Sequence, residues 1–148
     1  MKKLLIVIFF SILLFSLAGC GSTRSEQTGG SGVSYSAWCQ AFEDNKALSD
    51  EVTMSQDQGL SVHLCSNAST GYSWNDADIA DTAIIRQLSK EYLEPQTGED
   101  DQPVPGEPGQ DVFGFEALQP GTTTMNFSYS RPGEEQAAWT LELTVTVE

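Results

Sequence analysis

Histidine is all but missing from this chain: His63 is the only one among 148 residues. Catalysis by a nucleophile and base needs an imidazole or equivalent close to the reacting group, itself oriented by a third group. His63 falls on the outward side of an alternating segment, and a dyad built from it with Cys39 or Cys65 has no identifiable orienting partner. There is no G-x-S-x-G turn, no phosphate-cradling glycine loop and no zinc-ligand spacing. The sequence therefore argues against an enzyme and calls for no cofactor or metal. Acidic clusters at 75–81 and 99–101 lack the regular ligand positions and central glycine of a calcium loop, and read as solvated loop charge.

Cationic side chains are also scarce, with 7 Lys and Arg against 21 Asp and Glu. Nucleic acid is excluded as a partner, because such a surface is repelled by phosphate backbones. Long apolar runs are absent beyond residue 20. Cysteine is limited to Cys20, Cys39 and Cys65.

The one apolar run has a recognisable layout. Lys2 and Lys3 precede "LLIVIFFSILLF", and "LAGC" closes the segment with small residues at Cys20. That is the order of a secretory signal, with Leu17 to Cys20 resembling a bacterial lipobox in which Cys20 takes the lipid and becomes the mature N-terminus. A plain signal peptide or a retained short anchor is the alternative. Residues 1–20 are thus expected to be a lipoprotein signal peptide and the protein to be exported and lipid-anchored at a bacterial membrane or cell surface. Without Lys2 and Lys3 five basic residues face 21 acidic ones, a formal charge of −16. In an exported protein Cys39 and Cys65 form an even pair, either bonded or present as two buried thiols.

Gly, Ser and Thr dominate from Gly21 onward, and residues 21–44 are assigned to a flexible tether. Within it, "YSAWCQAFED" at 35–44 carries three aromatics suited to packing as an extra edge segment. After Asp50 the apolar period becomes two. Leu60, Val62 and Leu64 alternate with polar residues, as do Phe113, Phe115 and Ala117, then Met125, Phe127 and Tyr129, then Trp139 through Val147 at every second position. "AIIRQLSKEYLEP" is β-branched enough to be read as a strand. Several short strands separated by Gly and Pro turns predict one all-β domain over 45–148, a small sandwich or barrel, expected to be monomeric.

Three connections stand out against these strands: "NASTGYSW", "PGEPG" ahead of "DVFGFEAL", and "YSRPGE". In order and spacing they resemble the three loop motifs of the chagasin-type inhibitors of papain-like cysteine peptidases, roughly N-P-T-T-G-[FY]-x-W, G-x-G-G and R-P-W. The resemblance implies an immunoglobulin-like β-sandwich or barrel with three inhibitory loops (66–74, 103–111 and 130–135) at one end. It also implies reversible occlusion of the target's active-site cleft. Its implied contact residues are Asn67, Ala68, Ser69, Thr70, Gly71, Tyr72 and Trp74, then Pro105, Gly106, Glu107, Pro108 and Gly109, then Arg131, Pro132 and Gly133. Thr70 and the Gly71 backbone are placed nearest the catalytic cysteine. Small residues at a tip let backbone approach a thiolate, while Tyr72 and Trp74 behind it bury their rings and hold the loop's base.

The chain departs from the pattern at three places. Ala68 replaces a proline, which loosens the unbound loop. Glu107 and Pro108 interrupt the second motif, and Gly133 stands where a tryptophan is usual. An interface aromatic is worth about 2 kcal/mol on the hot-spot scale, roughly thirtyfold in affinity. The competing function is a non-inhibitory, immunoglobulin-like lipoprotein module for adhesion or binding.

Overall fold

The alternating segments become the strands of two facing sheets. The computed structural model describes residues 32–95 and 106–148. Nine strands occur among them: β1 (Val33–Ala37), β2 (Ala47–Met54), β3 (Gly59–Ser66), β4 (Ser73–Trp74), β5 (Asp78–Ile79), β6 (Ile85–Leu93), β7 (Gly109–Ala117), β8 (Gly121–Ser130) and β9 (Trp139–Val147). One sheet runs β1-β3-β7-β6; the other runs β2-β9-β8, with β4 and β5 both on the far side of β8. The all-β sandwich expected from the sequence is the fold observed.

Period-two patterning decides which side chains meet between the sheets. Leu60, Val62, Leu64, Phe113, Phe115 and Ala117 face inward from the first sheet, and Met125, Phe127, Leu141, Leu143 and Val145 from the second; all are buried. Phe127 sits edge-on to both Phe113 and Phe115, with ring centroids 5.1 and 6.0 Å away. Burial of each such side chain contributes about 1.5–3 kcal/mol. His63 is half-buried on the opposite face of β3, where its Nδ1 lies 3.3 Å from Gln110 Oε1.

The 21–44 tether is corrected at its C-terminal end. Residues 33–37 form β1, paired in parallel with β3, and Cys39–Asp44 forms a short helix, α1. Ser-rich composition concealed an alternation in which Val33, Tyr35 and Ala37 turn toward the domain and Ser34 and Ser36 toward solvent. Phe42 of α1 is fully buried. The ordered domain therefore includes residues 33–44. The signal segment, Cys20 and the start of the tether lie outside the described residues, as does the acidic cluster at 99–101.

Both sheets place an N-terminal strand at an edge. β2 runs parallel to β9, from Ala47 opposite Thr140 to Met54 opposite Val147. Tyr35 on β1 donates a 2.9 Å hydrogen bond to Asp50 on β2, joining the two edge strands across the sandwich. At the other margin β6 has an irregular register between Gln87 and Ser89, where Leu88 is exposed. A bulge of this kind twists an edge and discourages pairing with another chain.

Candidate functional site

Strand directions bring the singled-out connections to one end of the sandwich. Ser66, the last residue of β3, is paired with Gly109, the first of β7, and Tyr129 near the end of β8 is paired with Trp139 at the start of β9. Thr70, Gly106 and Arg131, one from each connection, line a common cavity of about 430 Å3. The three turns converge.

The first connection is stiffened from within. Ala68–Thr70 forms a single 3-10 turn, capped by Asn67, whose Oδ1 accepts hydrogen bonds from the Ser69 amide (3.2 Å) and hydroxyl (2.6 Å). The Thr70 hydroxyl donates to the Asn67 carbonyl at 2.6 Å, and the Thr70 and Gly71 amides bond to the carbonyls of Asn67 and Ala68. Gly71 ends the turn at φ 77°, a left-handed conformation that glycine adopts without penalty. These bonds compensate for the absent proline: Ala68 opens a turn fixed by its neighbours. Ala68, Ser69, Thr70 and Gly71 are all exposed.

Behind the tip lies an aromatic floor. Trp74 is fully buried and its Nε1 donates to the Cys65 carbonyl at 2.8 Å. Tyr129 stacks on Trp139 at 4.7 Å and on Tyr72 at 5.4 Å, and lies 5.2 Å from Trp74. Phe42 closes the cluster against Trp74 and Trp139. The Tyr129 hydroxyl accepts the Asn67 amide at 2.9 Å, so the floor bonds directly to the base of the turn. Trp74 consequently acts from inside and presents no contact surface. Its backbone is held as well, the amide by the buried Asp111 carboxylate and the carbonyl by Lys90.

The third connection, 131–138, opens with a four-residue turn closed by a 3.1 Å bond from the Glu134 amide to the Arg131 carbonyl. Pro132 occupies its second position and Gly133 its third at φ 87°, the arrangement of a type II turn. A side chain at 133 would be strained there, so this turn geometry is incompatible with simply restoring the tryptophan of the motif. Arg131 reaches across to the first connection. Its Nε donates to the Thr70 carbonyl at 3.0 Å, and its guanidinium lies 4.4 Å from the Tyr72 ring centre. Glu134 stands 3.9 Å from the same guanidinium.

Of the second connection, Gly106, Glu107 and Pro108 are exposed, with Gly106 at φ 84°. Gly109 is buried as the first residue of β7, and an added Cβ would fall 2.2 Å from the Leu93 carbonyl oxygen. It belongs to the support and not to the contact surface. Pro105 lies outside the described residues.

Cys39 and Cys65 are disulfide-bonded, with Cα atoms 5.1 Å apart, so α1 is fastened beside the base of the first connection. Phe42, Tyr129 and Trp139 complete the site, although in the sequence Tyr129 and Trp139 fall on the alternating strand faces and Phe42 in the 35–44 segment. The signal for two of them was present: Tyr129 and Trp139 each immediately precede or begin a loop end of an alternating strand.

The described residues thus form a β-sandwich whose turns bearing Thr70, Gly106 and Arg131 meet at one end. The chain belongs to the chagasin family: the family described as "Chagasin family peptidase inhibitor I42" matches residues 53–147. It is a peptidase inhibitor by family and not an enzyme. The fold is similar to that of the cysteine protease inhibitor EhICP2 from Entamoeba histolytica, with a TM-score of 0.61 at 20% identity, covering 81% of this chain and 100% of that one. Amebosin in solution gives 0.55 at 24% identity, covering 80% and 100%. PbICP-C, solved in complex with falcipain-2, gives 0.53 at 22%, covering 79% and 100%. No curated protein sequence matches the chain.

Proposed function

We propose that this protein is a reversible inhibitor of papain-like cysteine peptidases, which inserts the turns around Thr70, Gly106 and Arg131 into the active-site cleft. The observation that carries the reading is the convergence of those three residues on one cavity at one end of the fold. The target class is supported by the loop motifs, and by similar structures described as a cysteine protease inhibitor and as an inhibitor bound to falcipain-2.

The geometry makes the mode of action intelligible. Ala68, Ser69, Thr70 and Gly71 form a narrow exposed tip whose hydrogen bonds are already made in the free protein, so little ordering entropy is lost on docking. The tip is a tight turn and not an extended segment, which fits occlusion of the cleft without presentation of a scissile bond. Lipid on Cys20 would hold the inhibitor at a bacterial membrane or cell surface after export.

Fluorogenic assays of the purified protein against papain and a cathepsin L-like enzyme test this reading. Dose-dependent inhibition, abolished by Thr70→Arg or Gly71→Glu, is expected. Absence of inhibition at micromolar concentration would instead favour a non-inhibitory binding module. For the anchor, partition into detergent should be lost in Cys20→Ser; unchanged partition refutes lipidation there.

A further inference from the structure

Trp38 is the most exposed of the large apolar side chains among the described residues, at 67%. Its position follows from strand direction. β1 runs parallel to β3, whose C-terminal end leads into the first inhibitory turn, so the chain leaves β1 at the inhibitory end. Trp38 is the next residue. It shares a cavity of about 300 Å3 with Glu107 and Pro108 of the second turn. The following helix is continuous with the rest of the surface, because Cys39 and Glu43 line the same cavity as Thr70 and Arg131. The Cys39–Cys65 disulfide fixes this segment to the end of β3.

The family match begins at residue 53, so the segment 33–44 stands outside the matched region. Meanwhile Gly133 presents no aromatic in the third turn, where the strained φ of 87° disfavours one. The geometry points to Trp38 as a fourth contact of the inhibitory end, an exposed indole delivered by the disulfide-fastened N-terminal segment to the rim of the target peptidase's cleft. The inference rests on the inhibitor reading above and deepens it. Burying an exposed indole against a partner is among the largest single-residue contributions available to an interface. The partner surface it fits is an apolar patch on the side of the cleft that meets the second turn. The ring stacks on no other aromatic among the described residues, so removing it leaves the aromatic floor intact.

The test compares inhibition constants of the purified protein against papain for the unsubstituted chain, Trp38→Ala, Trp38→Phe and Leu88→Ala. Leu88 is also exposed but lies midway along β6. Trp38→Ala should raise the constant at least tenfold, Trp38→Phe by less, and Leu88→Ala by less than twofold. Iodide quenching of tryptophan fluorescence should fall when inactivated papain is added to the unsubstituted protein, and change much less for Trp38→Phe. If Trp38→Ala inhibits within twofold of the unsubstituted chain, the fourth contact is overturned while the inhibitor reading stands. If the unsubstituted protein does not inhibit, that reading itself fails and the inference with it. Thermal midpoints agreeing among the variants would show that the change is made at the surface.

Discussion

Arg131 gathers a hydrogen bond, a ring contact and a charge contact on one guanidinium, and each joins it to something different: the Thr70 carbonyl, the Tyr72 face and the Glu134 carboxylate. The carboxylate contact is long and solvent-exposed, so it contributes little. The directed bond and the stacking over Tyr72 hold the first turn against the third. Arg131→Ala should therefore weaken inhibition about tenfold or more while leaving overall stability within about 1 kcal/mol. Arg131→Lys should recover only part of that, because an ammonium lacks the planar fork that bonds and stacks together. Inhibition constants beside urea denaturation would check both; full recovery by lysine would refute the stacking role. Neither the partner nor the distance was legible in sequence, where Thr70 and Arg131 are 61 positions apart. What was legible was the local chemistry: an Asn followed by Ser and Thr, then Gly at the left-handed position, states its own turn.

Among the elements, legibility followed amphipathic contrast. Strands β3, β8 and β9 set partly or fully exposed polar residues between buried apolar ones, and β7 spaces Phe113, Phe115 and Ala117 with the half-buried Gly114 and Glu116, so their faces are readable directly. Edge strands have less to bury. β2 keeps only Leu48, Val52 and Met54 away from full exposure, too little contrast to mark it as a strand, and β1 is spaced by serines, so its composition masks its period. The pairing of Cys39 with Cys65 was left open because it depends on α1 folding back over the end of β3. That bond closes a separation of 26 residues. Replacing both cysteines with serine should lower unfolding free energy by about 3 kcal/mol, by the entropy gained in the unfolded chain. Weaker inhibition should accompany it, since α1 would lose its attachment beside Asn67. Denaturant titration of oxidised protein and the double variant measures the first effect; a difference below about 1 kcal/mol would mean the bond constrains little.

On the scale of the whole molecule, the two sheets are linked at one margin by Tyr35 and Asp50. Burial, the hydrogen bond to Asp50 and that carboxylate's negative charge raise the Tyr35 phenol above the usual tyrosine range. A raised folded-state value means the contribution is present below the ordinary tyrosine pKa of about 10 and is lost as pH climbs through the higher folded value. Stability should thus fall more steeply above pH 10 in the unsubstituted protein than in Tyr35→Phe, measured by urea denaturation at intervals from pH 9 to 12. Parallel slopes would show that the phenol does not couple the sheets.

The placement of β9 has a kinetic consequence. This strand lies between β8 and β2, and its Thr140 pairs with Ala47 across most of the domain's length. Such distant pairings carry a large loop-closure entropy, which makes folding slow compared with helical proteins of equal size. A nascent chain lacking β9 leaves β2 without its neighbour and one flank of β8 uncovered, so the second sheet is assembled only after synthesis has passed residue 139. On the export route proposed above, late closure of this kind would keep the polypeptide threadable until passage through a narrow channel is complete.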